Sequence, residues 1–164
     1  IGRRGRLNGP EEIQRKEYIA MLEHHFWENF RKWVPHPEVD EVYDVEEIGF
    51  QEDGFVVLLR PDHFQEEKRW ERALRLVWDR IVSYTVTDES YRPELWVSEK
   101  TPDWALWTFY LSETSDHLTR FREENYLVPE DTHHFFICGT NLMADILSDE
   151  YPTATFLKWG PEIR

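Results

Sequence analysis

Apolar residues recur at helical spacing in two long stretches of the chain. In the first stretch, between a helix-start signal at Asn8 and Pro10 and a stop at Pro35, one apolar face is formed by Ile19, Leu22, Phe26, Phe30 and Trp33. In the second stretch, which begins at Pro61, the shared face is formed by Trp70, Leu74, Val77 and Ile81. The pattern therefore predicts two long amphipathic helices.

Shorter apolar runs separated by turn signals predict β-strands. The tripeptide Glu52-Asp53-Gly54 predicts a hairpin that sets Ile48 and Phe50 opposite residues 55–59. Because residues 55–59 are continuously apolar, we expect that strand near the middle of a sheet. Residues 95–97 and 104–111 predict a second hairpin.

The last third of the chain combines helix and strand signals. Ser115 and its neighbours can cap a short helix that ends at Glu124. Residues 133–138 predict a strand and residues 153–159 another, and between them a second short helix is predicted from Leu142, Met143, Ile146 and Leu147.

Length and composition indicate one folded unit. The chain has 164 residues, of which 40% are hydrophobic and 32% charged, as in globular proteins of one domain. We expect a flexible basic tail over residues 1–8 and a single compact α+β domain over residues 9–164. Its sheet, mostly antiparallel or mixed with about five to six strands, would pack against the two long and two shorter helices.

The net charge is the most distinctive global property. With 33 acidic and 19 basic residues the chain carries −14, and the excess lies in residues 36–60 and 101–164. Such a field repels nucleic acid and attracts basic proteins. No apolar run is long enough to cross a membrane. The single cysteine, Cys138, favours a reducing compartment, so a cytoplasmic location is expected.

The charge distribution leads to the first functional hypothesis, a non-enzymatic module that binds a basic protein partner. An inhibitor or immunity-type protein is one version, because acidic surfaces can block cationic active sites. The predicted acidic face consists of Glu38, Asp40, Glu41, Asp44, Glu46 and Glu47. Aromatic residues are enriched at binding hot spots, and the candidates for an aromatic interface are Trp96, Trp104 and Trp107.

Two other functions compete with this hypothesis. A small-ligand-binding protein or hydrolytic enzyme could use an aromatic-lined pocket with His133, His134 and Cys138, because a helix start after Cys138 would lower the thiol pKa. The chain could also be a structural domain of a longer protein. The sequence leaves the oligomeric state open.

Metal and cofactor motifs are absent from the sequence. The doublets at His24 and His133 do not supply two ligands to one ion, since neighbouring side chains diverge on helices and strands. There is no His-Glu-x-x-His motif, paired-cysteine motif or EF-hand loop, and no phosphate-binding glycine loop. No metal or cofactor is predicted.

Overall fold

Two antiparallel β-sheets packed face to face form the described part of the protein. The computed structural model describes residues 27–39, 42–61, 72–92, 95 and 107–158. Within these ranges the nine strands are β1 (Arg31–Lys32), β2 (Tyr43–Gln51), β3 (Gly54–Pro61), β4 (Arg72–Trp78), β5 (Ser83–Asp88), β6 (Phe109–Ser112), β7 (His133–Cys138), β8 (Leu142–Ser148) and β9 (Thr153–Lys158).

The smaller sheet has four strands in the order β2-β3-β4-β9. Its β2–β3 hairpin confirms the prediction from the Glu52-Asp53-Gly54 turn, because Gln51 pairs with Gly54 and Phe50 with Phe55. The expected position of the second strand is also confirmed, since β3 lies between β2 and β4.

The larger sheet has five strands in the order β1-β6-β7-β8-β5. All of its described pairings are antiparallel. Strands β7 and β8 are consecutive in sequence and form a hairpin that pairs His133 with Ser148 and Cys138 with Met143. The sheet therefore keeps its most apolar strands at the centre and β5 at one edge.

The core lies between the two sheets and is rich in aromatic rings. Phe135 of β7 packs edge-on against Trp78 of β4 at 5.5 Å between ring centroids. At one side of the sandwich, Tyr84 of β5 meets Phe55 of β3 at 4.7 Å. Alternate side chains of each strand point into this layer, as expected for stacked sheets.

A second apolar layer covers the outer face of the five-stranded sheet. Trp27 and Phe30, on a short 3₁₀ helix (Trp27–Asn29) and just after it, pack on Tyr110 and Phe136. The centre of β6, β7 and β8 is thus buried on both faces. Strands in this situation are apolar along their whole length, instead of alternating.

One α-helix, α1 (Asp116–Glu124), is present among the described residues. It confirms the predicted short helix, because Ser115 is its N-cap and its end falls at Glu124. Leu118 is fully buried, and helix α1 lies against β7.

The predicted α+β class is wrong, because the described residues are mostly β-strand. The second long helix was inferred from Leu74, Val77 and Ile81, but residues 72–78 form strand β4. Leu74, Leu76 and Trp78 are two positions apart and all point into the core. Residues 62–71, including the start of that predicted helix, lie outside the described residues.

Two further helix predictions are wrong, because in each case the described residues include a β-strand. Residues 142–148 form strand β8, in which Met143 joins the outer layer and Ile146 the inner core. The end of the first predicted helix is a 3₁₀ turn followed by β1, so Phe30 and Trp33 pack on opposite sides of the five-stranded sheet. Most of that helix, and the predicted tail at residues 1–8, lie outside the described residues.

The second predicted hairpin is also incorrect where the structure describes it. Strand β6 forms within the expected range, but its neighbours are β1 and β7. Leu95 is buried in a 3₁₀ turn, and residues 96–106 lie outside the described residues.

The turn of the β2–β3 hairpin generates a prediction about two glycines with positive φ. A Cβ at Gly54 would lie 2.3 Å from the carbonyl oxygen of Trp78, whereas a Cβ at Gly49 would meet nothing within 4 Å. Gly49→Ala should cost only backbone strain, about 1–3 kcal/mol. Gly54→Ala should cost about 1–3 kcal/mol more, because the backbone must also move. Urea unfolding of both variants measures the difference, and equal losses would contradict the described packing.

Candidate functional site

Buried polar side chains interrupt the apolar outer face of the five-stranded sheet. His134 of β7 and Asp145 of β8 point to this face, and they are 1% and 8% exposed. Nε2 of His134 lies 2.9 Å from Oδ1 of Asp145. Charged groups are rarely buried to this extent without a partner, so His134 and Asp145 need further hydrogen bonds from their surroundings.

The pair is extended at both ends by further hydrogen bonds. The Ser115 hydroxyl lies 2.7 Å from Nδ1 of His134 and accepts the backbone N–H of Leu118 at 3.1 Å, which caps α1. At the other end, the Arg92 guanidinium donates to Oδ2 of Asp145 at 3.0 Å. The four side chains form one connected set, which we call the Ser115–Arg92 chain.

The positions of the protons in the Ser115–Arg92 chain follow from the ionised carboxylate of Asp145. An ionised carboxylate only accepts, so the Nε2–H of His134 donates to Asp145, and Nδ1 faces the Ser115 hydroxyl. Burial opposes ionisation of Asp145, but the hydrogen bond from His134 and the charges of His134 and Arg92 outweigh it, so the pKa of Asp145 is lowered. Burial also lowers the pKa of His117, whose ring lies 5.1 Å from that of His134.

Serine, histidine and aspartate are the residue types of a hydrolase triad, but their arrangement here favours a structural role. In serine proteases the nucleophile contacts Nε2 and the carboxylate contacts Nδ1, which is the reverse of the contacts at His134. Ser115 is 3% exposed, and its oxygen already accepts a hydrogen bond as a helix cap. The Ser115–Arg92 chain of hydrogen bonds therefore attaches α1 and Arg92 to the sheet.

The acidic residues singled out in the sequence occupy different environments. Glu38 and Glu46 form ion pairs at 2.5 Å with Arg72 and Arg60. Asp44 is 7% exposed and accepts a hydrogen bond from Thr140. Glu47 is exposed on β2 and accepts a hydrogen bond from Gln51 at 2.7 Å. Asp40 and Glu41 lie outside the described residues, and the acidic face as a binding surface stays a prediction.

The predicted aromatic interface is described at one position. Trp107 is partly buried, and its indole N–H donates to the carbonyl oxygen of Trp33 at 2.9 Å. The ammonium of Lys32 lies 4.6 Å from the centre of the Trp107 ring, which is cation–π geometry. Trp96 and Trp104 lie outside the described residues.

The structure separates the three candidates for covalent chemistry. His133 and His134 point to opposite faces of β7, and His133 packs on Tyr151. Cys138 lies among apolar side chains at the end of β7, and burial raises its thiol pKa to about 12. The helix expected to follow Cys138 is strand β8, so no helix N-terminus stabilises a thiolate there.

Two nearly fully exposed apolar side chains lie in the loop between α1 and β7. Tyr126 is 92% exposed and Leu127 84%. The loop is held from beneath by Arg122, which donates to the carbonyl oxygens of Glu130 at 2.7 Å and Thr132 at 3.1 Å. We call residues 123–131, which comprise the last two residues of α1 and most of the loop that follows, the Tyr126 loop.

Carboxylates flank the apolar tip of the Tyr126 loop on both sides in sequence. Glu123 and Glu124 precede it and Glu130 and Asp131 follow it, and all four are exposed. The sequence carries one signal for this loop, an aromatic–aliphatic pair between two acidic pairs, which would place an apolar patch on an acidic surface.

Searches for a metal site, for a membrane-spanning helix and for similar proteins do not identify a function. Among the residues that the structure describes, no three His, Cys, Asp or Glu side chains are placed to hold a metal ion. None of the helices in the described ranges is long and apolar enough to span a membrane. No protein-family model matches the chain, and neither curated proteins nor solved structures give a significant match.

The Ser115–Arg92 chain generates a prediction about stability and pH. Asp145→Asn should lower the free energy of unfolding at pH 7 by about 3–5 kcal/mol, because the substitution removes the buried carboxylate that accepts from both His134 and Arg92. The lowered pKa means that the folded protein binds fewer protons than the unfolded chain. The contribution of Asp145 is therefore complete above about pH 4 and is lost as pH falls through its folded pKa.

Urea titrations at pH 7 and at pH 3 measure this effect. The difference between the wild type and Asp145→Asn should narrow at the lower pH. Glu113→Gln is the matched control, because its ion pair with Arg31 is exposed and should contribute less than about 1 kcal/mol. An equal loss from the two variants at pH 7 would contradict the role of the buried chain.

Proposed function

We propose that this protein is a non-enzymatic module that binds a basic protein partner through the Tyr126 loop. The observation that carries the proposal is the exposure of Tyr126 and Leu127 at the tip of a hydrogen-bonded loop. Apolar side chains in this position are costly in water and gain most when a partner covers them.

The backbone around the tip is fixed before any partner arrives. Besides the bonds from Arg122, Asn125 donates its side-chain amide to the carbonyl oxygen of Phe121 at 3.0 Å. The backbone N–H of Val128 bonds to Asn125, and that of Thr132 to Pro129. A loop held in this way loses little conformational entropy on binding, which favours affinity.

The charge of the loop specifies the kind of partner. Glu123, Glu124, Glu130 and Asp131 flank the apolar tip in sequence and are exposed, so the surface that would complement the loop is an apolar pocket with basic residues at its rim. The net charge of −14 adds long-range attraction to a basic protein. A rigid projecting loop that enters a cleft also suits an inhibitor or immunity-type protein. A cytoplasmic location remains part of this proposal, since the one cysteine, Cys138, is buried and free.

The proposal is tested by affinity capture from a cell extract at low and high salt with two variants that differ in position. Tyr126→Ser combined with Leu127→Ser should remove a basic partner that the wild type captures, with at least about a tenfold loss of affinity once the partner is purified. The control is Tyr91→Ser, because Tyr91 is 80% exposed but lies in the 3₁₀ helix Glu89–Tyr91, away in sequence from the Tyr126 loop. Its capture should equal that of the wild type.

Salt and charge provide the second criterion. Glu123→Gln combined with Glu124→Gln should mainly slow association of the protein with its partner. Raised salt should weaken capture of that partner by the wild type. A partner that survives the Tyr126 and Leu127 changes, or one that is acidic, would overturn the proposal.

A further inference from the structure

The four edge strands of the two sheets differ in how they discourage pairing with another chain. Strand β1 has two residues. Strand β2 has a bulge between Val45 and Glu47 and exposed carboxylates there, and β9 follows Pro152 and ends in Lys158. Short length, bulges, proline and charge are the usual ways to protect an edge.

Strand β5 lacks these protections. Its first five residues, 83–87, are Ser-Tyr-Thr-Val-Thr and carry no charge, although 32% of the chain is charged. It pairs with β8 in a regular register over all six residues, and β8 is its only neighbour in the described part of the sheet. Aromatic and β-branched residues in an exposed, regular strand favour the addition of another strand.

An exposed apolar strip adjoins this edge. Phe50, at the end of β2, is 68% exposed and contacts Tyr84 at 6.1 Å between ring centroids. Tyr84 and Val86 are 42% and 37% exposed on the same face of β5. A strand added at β5 would cover these three side chains together with the open backbone groups.

We propose that β5 pairs antiparallel with β5 of a second copy of this chain, so that two five-stranded sheets join into one ten-stranded sheet. A two-fold axis through Thr85 sets Tyr84 of each copy opposite Val86 of the other. Aromatic and β-branched residues in directly opposed positions form favourable cross-strand pairs. The interface is then isologous, which is the commonest form of a homodimer.

The charge pattern favours a second copy over a foreign strand. Residues 83–87 offer no charged side chain that would select a basic segment, and they bring no like charges together when the strand pairs with itself. In the same register Asp88 lies beside Val82 of the second copy, two residues from its Arg80. Arg80 of the second copy is 64% exposed, but it already pairs with Asp149 at 2.6 Å and with Glu150 at 3.6 Å in its own chain, so the argument for a second copy rests on the uncharged residues 83–87.

Sedimentation equilibrium of the full chain tests the pairing. From about 1 µM to about 1 mM, a range that covers moderate to weak association, the average mass should rise from that of the monomer toward twice that value. Val86→Lys should raise the dissociation constant at least about tenfold, because it places a charge in the joined sheet. A wild type that stays monomeric throughout overturns the proposal.

The control is a second edge-strand change of the same kind. Leu157→Lys alters a residue of β9 that is 38% exposed, against 37% for Val86, and should leave the dimer intact. Circular dichroism of both variants checks that they fold. If Leu157→Lys dissociates the dimer and Val86→Lys does not, the interface is elsewhere and the proposal is wrong.

Salt distinguishes this proposal from the binding of a basic partner. Two copies each carry −14, so raised salt should strengthen self-pairing by screening their repulsion. Raised salt should instead weaken an attraction between opposite charges. The two proposals therefore fail independently, since one concerns β5 and the other the Tyr126 loop.

Discussion

Strands β6, β7 and β8 are buried on both faces, and this two-sided burial constrains the rest of the structure. On one face the four-stranded sheet covers Phe135, and on the other Phe30 and Trp27 cover Phe136. Each fully buried aromatic side chain of this kind contributes about 1.5–3 kcal/mol of transfer free energy. A polar group in the same layer is costly unless it is hydrogen-bonded, and the Ser115–Arg92 chain supplies these bonds at His134 and Asp145.

The same burial determines where function can be located. Because both faces of the central strands are covered, neither Cys138 nor Ser115 is open to a substrate, and the thiol pKa is raised as a consequence. Interaction is left to the edges and loops. The Tyr126 loop and strand β5 both combine exposed apolar side chains with an ordered backbone.

Sequence patterns predicted the local features with short-range causes. Hairpin β2–β3 follows from a turn tripeptide and helix α1 from the Ser115 cap, and both signals act over a few residues. Strand β8 is buried on both faces, which hides its alternation and lets its sequence imitate a helix. In β4 the three-residue spacing of Leu74 and Val77 also fits a helix, although Leu74, Leu76 and Trp78 alternate as in a strand. In β8, the spacing of Met143 and Ile146 fits a helix equally well.

The candidate site was only partly predictable for a similar reason. His134 was singled out and Ser115 was identified as a cap, but their contact joins residues 19 positions apart. Arg92 and Asp145 are 53 positions apart, and only the sheet order brings them together. A lone carboxylate within the apolar run around Asp145 is a signal that a buried partner must exist.

The Ser115–Arg92 chain is buried at Ser115, His134 and Asp145 and linked throughout by hydrogen bonds, and we propose that it supports the fold while function lies at the surface. Treatment of the folded protein with a serine-directed fluorophosphonate probe, followed by mass spectrometry of Ser115, tests this claim most directly. Because Ser115 is buried and its oxygen caps α1, the protein should show no modification at this residue. Stoichiometric modification of Ser115 that requires His134 would contradict the account and assign the protein to the hydrolases.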